Sequence, residues 1–358
     1  MTRNLILAIN PGSTSTKFAV FEEDKLVFET TLRHSSADLE GFQKITDQFA
    51  FRKDLIIKEL NGRNIDFDRF AAVVGRGGLV KPIESGIYRV NDLMKEDLVN
   101  CRMGEHASNL GALIADDIAS SLPGSLAFIV DPVVVDELQP VARLSGHPAI
   151  DRVSIFHALN QKAVARAYAA SVGRSYEDLN LVIAHMGGGV SVGAHKKGKV
   201  IDVNNALGGD GPFSPERSGG LPSNQLVDLC FSGRLDKKEI KSMLVGKGGM
   251  VAYLGTNDFR EVCKMAEEGN EKALLVMNAS SYQVAKEIGA MAVVLGGEVD
   301  AILLTGGMAY QKSNTAFISE LVGFIAKVIV FPGEDEMKAL AFNALMAIKG
   351  EVEIREYS

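Results

Sequence analysis

Short apolar runs of strand length alternate along this chain with longer stretches in which apolar positions recur every three to four residues. Runs at 5–9, 18–21, 26–28, 70–74, 125–130, 181–184, 190–194, 200–203, 301–304 and 328–331 read as strands. Helical spacing covers 36–61, 91–100, 105–120, a stretch from 154 onward, 225–229, 237–244, 270–295, 313–327 and 337–348. Strands that alternate with helices predict an α/β fold.

The pattern repeats. Residues 5–28 run strand, turn, strand, charged turn, strand, and residues 181–203 do the same. The first turn is Asn10-Pro11-Gly12-Ser13-Thr14-Ser15-Thr16-Lys17. Gly12 permits a close approach, the hydroxyls of Ser13 and Thr14 offer donors, and Lys17 adds charge, which together suit a phosphate. The P-loop is excluded, because the pattern lacks the second glycine before the lysine and a strand, not a helix, follows. The second copy carries His185-Met186-Gly187-Gly188-Gly189 in the same place. A third glycine turn, Gly306-Gly307-Met308, closes the run at 301–304 ahead of a helix, an arrangement that brings backbone N–H groups to a nucleotide.

A length of 358 residues suggests two domains, and a polar, Gly/Pro-containing joint at 146–151 marks the boundary. The expected division is 1–148 with about 338–358 as the first domain, and 149–337 as the second, since chain ends often lie together. A hydrophobic share of 46% supports sizeable cores, and a net charge of -7 argues against nucleic acid as a partner. Three widely spaced cysteines suit free thiols in a reducing cytosol. With no long apolar run and no signal-peptide pattern, the expectation is a cytoplasmic protein without a membrane partner.

Several polar residues stand where chemistry is possible. Arg76 lies among glycines at 75, 77 and 78, where a guanidinium can reach an anion bidentately, although a solvated arginine in a glycine turn has the same pattern. Asp131 ends the strand at 125–130, where crevices of α/β sheets open; a turn cap would look the same. His106 and His157 fall in the first turns of expected helices, as phosphate contacts or as packed histidines. Arg217 lies in a Gly/Pro-rich stretch with Asp210 and Glu216, either a substrate loop or a solvated connection. Glu334, Asp335 and Glu336 follow the last strand and offer oxygen ligands for Mg2+.

Taken in order, these pieces resemble a known family. Asn10–Lys17, Val74-Gly-Arg-Gly-Gly78, Val130-Asp131-Pro132, Phe156-His157, Ala184–Gly189, Pro215-Glu-Arg-Ser218, Asn257-Asp-Phe-Arg260 and Leu304–Met308 are similar to the acetate kinase family of carboxylate kinases. The resemblance implies the duplicated actin/hexokinase-like (ribonuclease H-like) ATPase fold, with two domains around a nucleotide cleft. The stretches 74–86, 213–219 and 332–337 resemble the butyrate-specific branch.

Residue by residue, the resemblance implies that Asn10 and Lys17 meet phosphate and Mg2+, and that Asp131 is the family's active-site aspartate. It places His157 and Arg217 on the transferring phosphoryl group and His185 to Gly189 along the phosphate tail. Asp258, Arg260 and Gly306 to Tyr310 would hold the adenosine, and Glu334 or Glu336 the metal. Arg76 stands in for the family's substrate arginine, whose place is taken here by Val73. Phe156 is a candidate wall of the acyl pocket, or a core ring.

The implied reaction is ATP plus butyrate giving ADP and butyryl phosphate, by direct in-line transfer with Mg2+, in a homo-oligomer of at least two chains. Other short acids (isobutyrate, propionate, acetate) suit the same motifs. Two further classes share the fold: a regulatory ATPase, which would need another binding domain, and a sugar kinase, in which Asp131 would act as base.

Overall fold

The computed structural model describes residues 3–358. Among them lie twelve strands: β1 (Leu5–Pro11), β2 (Ser15–Glu22), β3 (Lys25–Arg33), β4 (Phe70–Arg76), β5 (Ile87–Arg89), β6 (Leu126–Val130), β7 (Asn180–Met186), β8 (Val190–Lys196), β9 (Lys199–Val203), β10 (Ala301–Gly306), β11 (Val328–Pro332) and β12 (Ile354–Glu356). The chain divides into two compact units, Met1–Val135 with Asp335–Ser358, and Asp136–Glu334. The crossings fall at 135/136 and 334/335, against the 148/149 and 337/338 expected from composition.

The sheet of unit 1 has the order β12-β5-β6-β4-β1-β2-β3 and that of unit 2 the order β11-β10-β7-β8-β9. Removing β12 and β5 leaves β6-β4-β1-β2-β3 against β11-β10-β7-β8-β9, so the duplication extends to the sheet. In both, the first strand pairs antiparallel with the second and parallel with the fourth. The irregularities coincide as well. The second strand shifts register at Val20/Phe21 in one copy and at Ala194/His195 in the other, each four residues after the pair that closes the turn, Pro11↔Thr16 and Met186↔Val190.

Strand alternation sorts each sheet into two faces. In unit 1, Leu5, Leu7, Ile9, Phe18 and Val20 join a core with residues of the helices Phe49–Gly62 and Asn109–Ser120. Asn10 lies on the opposite face, with Ile6 and Ala8, and the helix Glu336–Ile348 packs on β1 and β4. In unit 2, Val182, Ala184 and Met186 face the helix Glu271–Val294, whereas Leu181 and Ile183 face the helix Ala158–Ser171.

Four expected elements differ. The stretch 36–61 is a capped turn of helix (Ser36–Leu39), a 3-10 turn (Ile45–Gln48) and the helix Phe49–Gly62, broken where Gly41 and Thr46 interrupt the spacing. The helix expected from 105 begins at Asn109, so His106 precedes it; His106 Nδ1 accepts from Ser108 N at 3.2 Å. The helix expected from 154 begins at Ala158, with His157 as its N-cap residue. That expected at 313–327 spans Lys312–Val322. No helix among the described residues is long and apolar enough to cross a membrane.

Candidate functional site

The turn after β1 is built from behind by a residue that the sequence did not single out. Arg52 is fully buried. Its Nη1 donates to Gly12 O and Ser15 O at 2.8 Å and to Thr16 Oγ1 at 3.1 Å; its Nη2 donates to Ser13 O at 3.0 Å and to Gln48 Oε1 at 2.8 Å. Thr14 O accepts from His34 N at 2.9 Å. All four carbonyls from Gly12 to Ser15 are thus turned to donors inside unit 1, while Ser13 and Thr14 are exposed. The sequence signal was a four-residue spacing, Gln48, Arg52, Ile56, Leu60, all of them buried. An arginine on a buried helical stripe requires acceptors.

Lys17 stands opposite Asn10 across the β1–β2 pair, so both lie on one face. Its Nζ is 2.9 Å from Glu29 Oε1, and the pair is partly exposed. Asn10 Nδ2 donates to Glu336 Oε2 at 2.6 Å, and Arg76 Nη1 is 3.1 Å from the same oxygen. Unit 1 therefore gathers Asn10, Arg76 and Glu336. Asn10 Oδ1 is buried with no hydrogen-bond partner among the described residues. A carbonyl oxygen so placed beside a nearly buried carboxylate is a hard oxygen donor set of the kind Mg2+ takes, completed by water or phosphate. No group of three or more His, Cys, Asp or Glu side chains suited to a metal occurs among the described residues.

Asp131 follows β6 with φ +37°, a rare backbone conformation for a side-chain-bearing residue. Its Oδ1 accepts from Ser85 Oγ at 2.6 Å and Gly86 N at 2.9 Å. Strain of this kind persists where surrounding bonds over-determine it.

In unit 2, the His157 ring stacks on that of His185, with centroids 3.8 Å apart and planes within 9°. His185 is fully buried; its Nδ1 is 2.7 Å from Asn160 Oδ1 and its Nε2 is 3.1 Å from Glu334 Oε1. Of the two acids offered as alternatives for the metal, Glu336 joins Asn10 in unit 1 and Glu334 joins His185 in unit 2.

Arg217 lies against the glycine turn. Its Nη1 donates to Ala206 O, its Nε is buried without a partner, and burial lowers its pKa. A Cβ at Gly189 would overlap Nη1, so only glycine leaves room for the guanidinium. Ser214 Oγ donates to Gly188 O at 2.6 Å, tying the Arg217 loop to the turn. Gly187 would meet Glu334 Oε1 if it carried a Cβ, so the turn packs on that acid.

Asp258 caps the helix Phe259–Glu267 and pairs with Arg260, at 2.6 Å to Nη2; those bonds pull its pKa down to about 2. Gly306 ends β10 with φ +89°, against the backbone of Met186, and exchanges hydrogen bonds with Gly333. A 3-10 turn over Gly307–Tyr310, rather than an α-helix start, follows it and carries Met308. Phe156, a candidate pocket wall or core ring, is 2% exposed.

Residues 149–341 match the model of the acetokinase family. The chain is also 57% identical over 352 residues to butyrate kinase 2 of Clostridium acetobutylicum, covering 98% of this chain and 99% of that one. The chain belongs to the acetokinase family. Solved structures agree on the fold. Acetate kinase of Porphyromonas gingivalis superposes with a TM-score of 0.79 at 20% identity, over 97% of this chain and all of that one. A propionate kinase of Francisella tularensis gives 0.74 at 19% identity, over 96% and 99%. The duplicated α/β ATPase fold of this acetokinase family member is therefore that of the family.

Proposed function

We propose that this acetokinase family member is a butyrate kinase, transferring the γ-phosphoryl group of ATP to butyrate and, in reverse, from butyryl phosphate to ADP. The observation that carries the reading is the near-complete, 57% identical match to a butyrate kinase.

A carboxylate nucleophile is ionised at neutral pH, so the reaction requires no strong base. The difficulty is repulsion between two anions, and catalysis rests on positioning and charge neutralisation. Arg217 and His157 serve the transferring group, Ser13, Thr14 and the glycine turn at 187–189 serve the phosphates, and Arg76 serves the acid. The Lys17–Glu29 pair is exposed and weak, so Lys17 can be drawn to phosphate at little cost. Asn10 and Glu336 would hold Mg2+, which when bound neutralises phosphate charge. Asp131, fixed by Ser85 and Gly86, has the setting of an organising carboxylate rather than of a mobile base. Asp258, Arg260 and Gly306–Met308 are assigned to adenosine. The first unit is assigned the acyl side and the second the nucleotide side, in a cytoplasmic homo-oligomer.

The test is ADP release with butyrate, isobutyrate, propionate, acetate, a hexose or no acceptor, with hydroxylamine to trap acyl phosphate. Butyrate-dependent ADP release with hydroxamate formation is expected. Release with a hexose alone would replace the reading by a sugar kinase, and acceptor-independent release by a regulatory ATPase. A stable phosphorylated enzyme would exclude direct transfer.

A further inference from the structure

Behind His157 runs a chain of hydrogen bonds whose direction can be deduced. Tyr176 Oη is 2.6 Å from His195 Nδ1, and His195 Nε2 is 2.8 Å from Gln161 Oε1. Gln161 Nε2 donates to Ser191 O at 3.0 Å and to Ser191 Oγ at 2.8 Å, and Ser191 Oγ is 2.8 Å from His157 Nδ1. The geometry follows from two periodicities. His157 and Gln161 are four apart at the start of one helix, and Ser191, Gly193 and His195 share one face of β8. A Cβ at Gly193 would approach Gln161 Oε1 to 2.7 Å, so the glycine keeps the path open.

The direction is set by one atom that can only accept, the Ser191 carbonyl. It orients the Gln161 amide with Nε2 toward Ser191, which leaves Oε1 toward His195. An amide oxygen only accepts, so His195 carries its proton on Nε2 and accepts from Tyr176 at Nδ1. Full burial, with Lys162 and Arg166 nearby, lowers the pKa of His195 well below its ordinary value, in keeping with a neutral ring. Ser191 Oγ already accepts from Gln161, and the His157 backbone N–H lies 3.4 Å away. Its own proton is therefore directed to His157 Nδ1.

We propose that the Gln161–Ser191 pair is a positioning device that fixes His157 as the Nε2–H tautomer, a neutral hydrogen-bond donor toward the transferring phosphoryl group. The stack on His185 holds the ring plane, and the serine holds the proton's location. The device explains why a buried Tyr–His–Gln–Ser series lies behind one histidine. Its catalytic part rests on the kinase reading above; its tautomeric part does not.

The test uses the full chain with 15N-labelled histidine, whose six imidazoles are separable, and a His157→Gln sample to assign the signal. His157 is expected to show a pyrrole-type Nε2 and a pyridine-type Nδ1 without ligand. In Ser191→Ala the ring should lose that preference, and kcat should fall roughly 10- to 100-fold with KM for ATP and butyrate nearly unchanged. Ser191→Thr, which keeps the hydroxyl, should restore both. Gln161→Glu, which accepts at both oxygens, should draw the serine proton away and move His157 toward Nδ1–H. A wild-type Nδ1–H tautomer, or a Ser191→Ala enzyme with unchanged kcat, would overturn the proposal. A wild type without acid-dependent turnover would defeat the kinase reading alone, with the tautomer still decided by the spectrum.

Discussion

Replacing Arg52 by methionine keeps an unbranched apolar stem and removes the guanidinium donors behind the β1–β2 turn. Among the described residues Gly12 O and Ser13 O receive no other hydrogen bond, and Gln48 Oε1 loses both of its own. Ser15 O keeps Gly12 N, and Thr16 Oγ1 keeps His34 Nε2. Three stranded acceptors at about 1–3 kcal/mol each would cost about 3–9 kcal/mol if none relaxed. Removing a buried cation returns several kcal/mol of desolvation, and the turn lies at the surface where water can reach it. The expected net loss is about 1–3 kcal/mol, concentrated in the turn. Hydrogen exchange on the peptide covering 12–16 should accelerate, while peptides covering 157–165 should not change. Once the carbonyls are free to swing outward, the tip no longer presents donors alone, and KM for ATP should rise about tenfold or more, with KM for butyrate little affected. Arg52→Lys, with three donors in place of five, should fall between. Unchanged exchange at 12–16 together with an unchanged KM for ATP would refute the claim that Arg52 shapes this turn.

The other expectations are briefer. Gly189→Ala should displace the Arg217 guanidinium and match Arg217→Ala, with turnover down by orders of magnitude and circular dichroism unchanged; a near-normal rate in either variant removes Arg217 from the site. Glu336→Gln should raise the Mg2+ concentration needed for half-maximal activity at least several-fold and Glu334→Gln should not, which a Mg2+ titration of both variants decides. Tyr357→Phe removes a hydroxyl that donates to the buried Asp97 carboxylate at 2.7 Å and accepts from Lys81 N at 3.0 Å, so urea unfolding should show a loss of about 1–3 kcal/mol. Burial holds the His195 pKa well below its ordinary value, whereas the unfolded chain protonates it near pH 6.5. The unfolded state thus binds the extra proton, and stability should be lost as pH falls through about 6.5, by at most about 1.4 kcal/mol per unit, until the folded pKa is reached. A His195→Gln chain with the same slope of stability against pH would exclude this source.

The strands that carry the site were legible because they are buried on both faces and read as unbroken apolar runs. The turns between them were legible because glycine and hydroxyl residues punctuate those runs. The three-residue strands β5 and β12 were not, since three residues carry no period and their partners are distant in sequence. Helix starts slipped where a histidine preceded the periodic stretch: His106 and His157 both lie outside the helices they were assigned to, because a side chain ahead of the first turn leaves the apolar spacing unchanged. Arg52, Gln161 and Ser191 were missed for a different reason. Each acts on another polar group rather than on a ligand, so no motif marks it. Only the conflict between a polar residue and a buried position does, and that becomes visible once the buried face is known.

The duplication explains why the two copies divide the chemistry as they do. Asn10 is the penultimate residue of β1 and His185 the penultimate residue of β7, each on the sheet face that receives the first α-helix after the chain crosses into that unit. The residue at the start of that helix meets it in both copies: Glu336 bonds Asn10, and His157 stacks on His185. One backbone arrangement therefore carries two side-chain pairs of opposite character. An amide with a carboxylate presents oxygen and suits a hard cation. In the stacked imidazoles both nitrogens of His185 face Asn160 and Glu334, and His157 is the ring with a donor to offer an anion. A phosphoryl transfer between anions requires both kinds of group, and a duplicated fold supplies two equivalent positions in which they can diverge without altering the strands beneath. The same reasoning argues against exchanging the pairs. Moving a carboxylate to position 157 would place it against His185, beside the Glu334 already 3.1 Å from that ring, and would set two acids where the reaction requires donors.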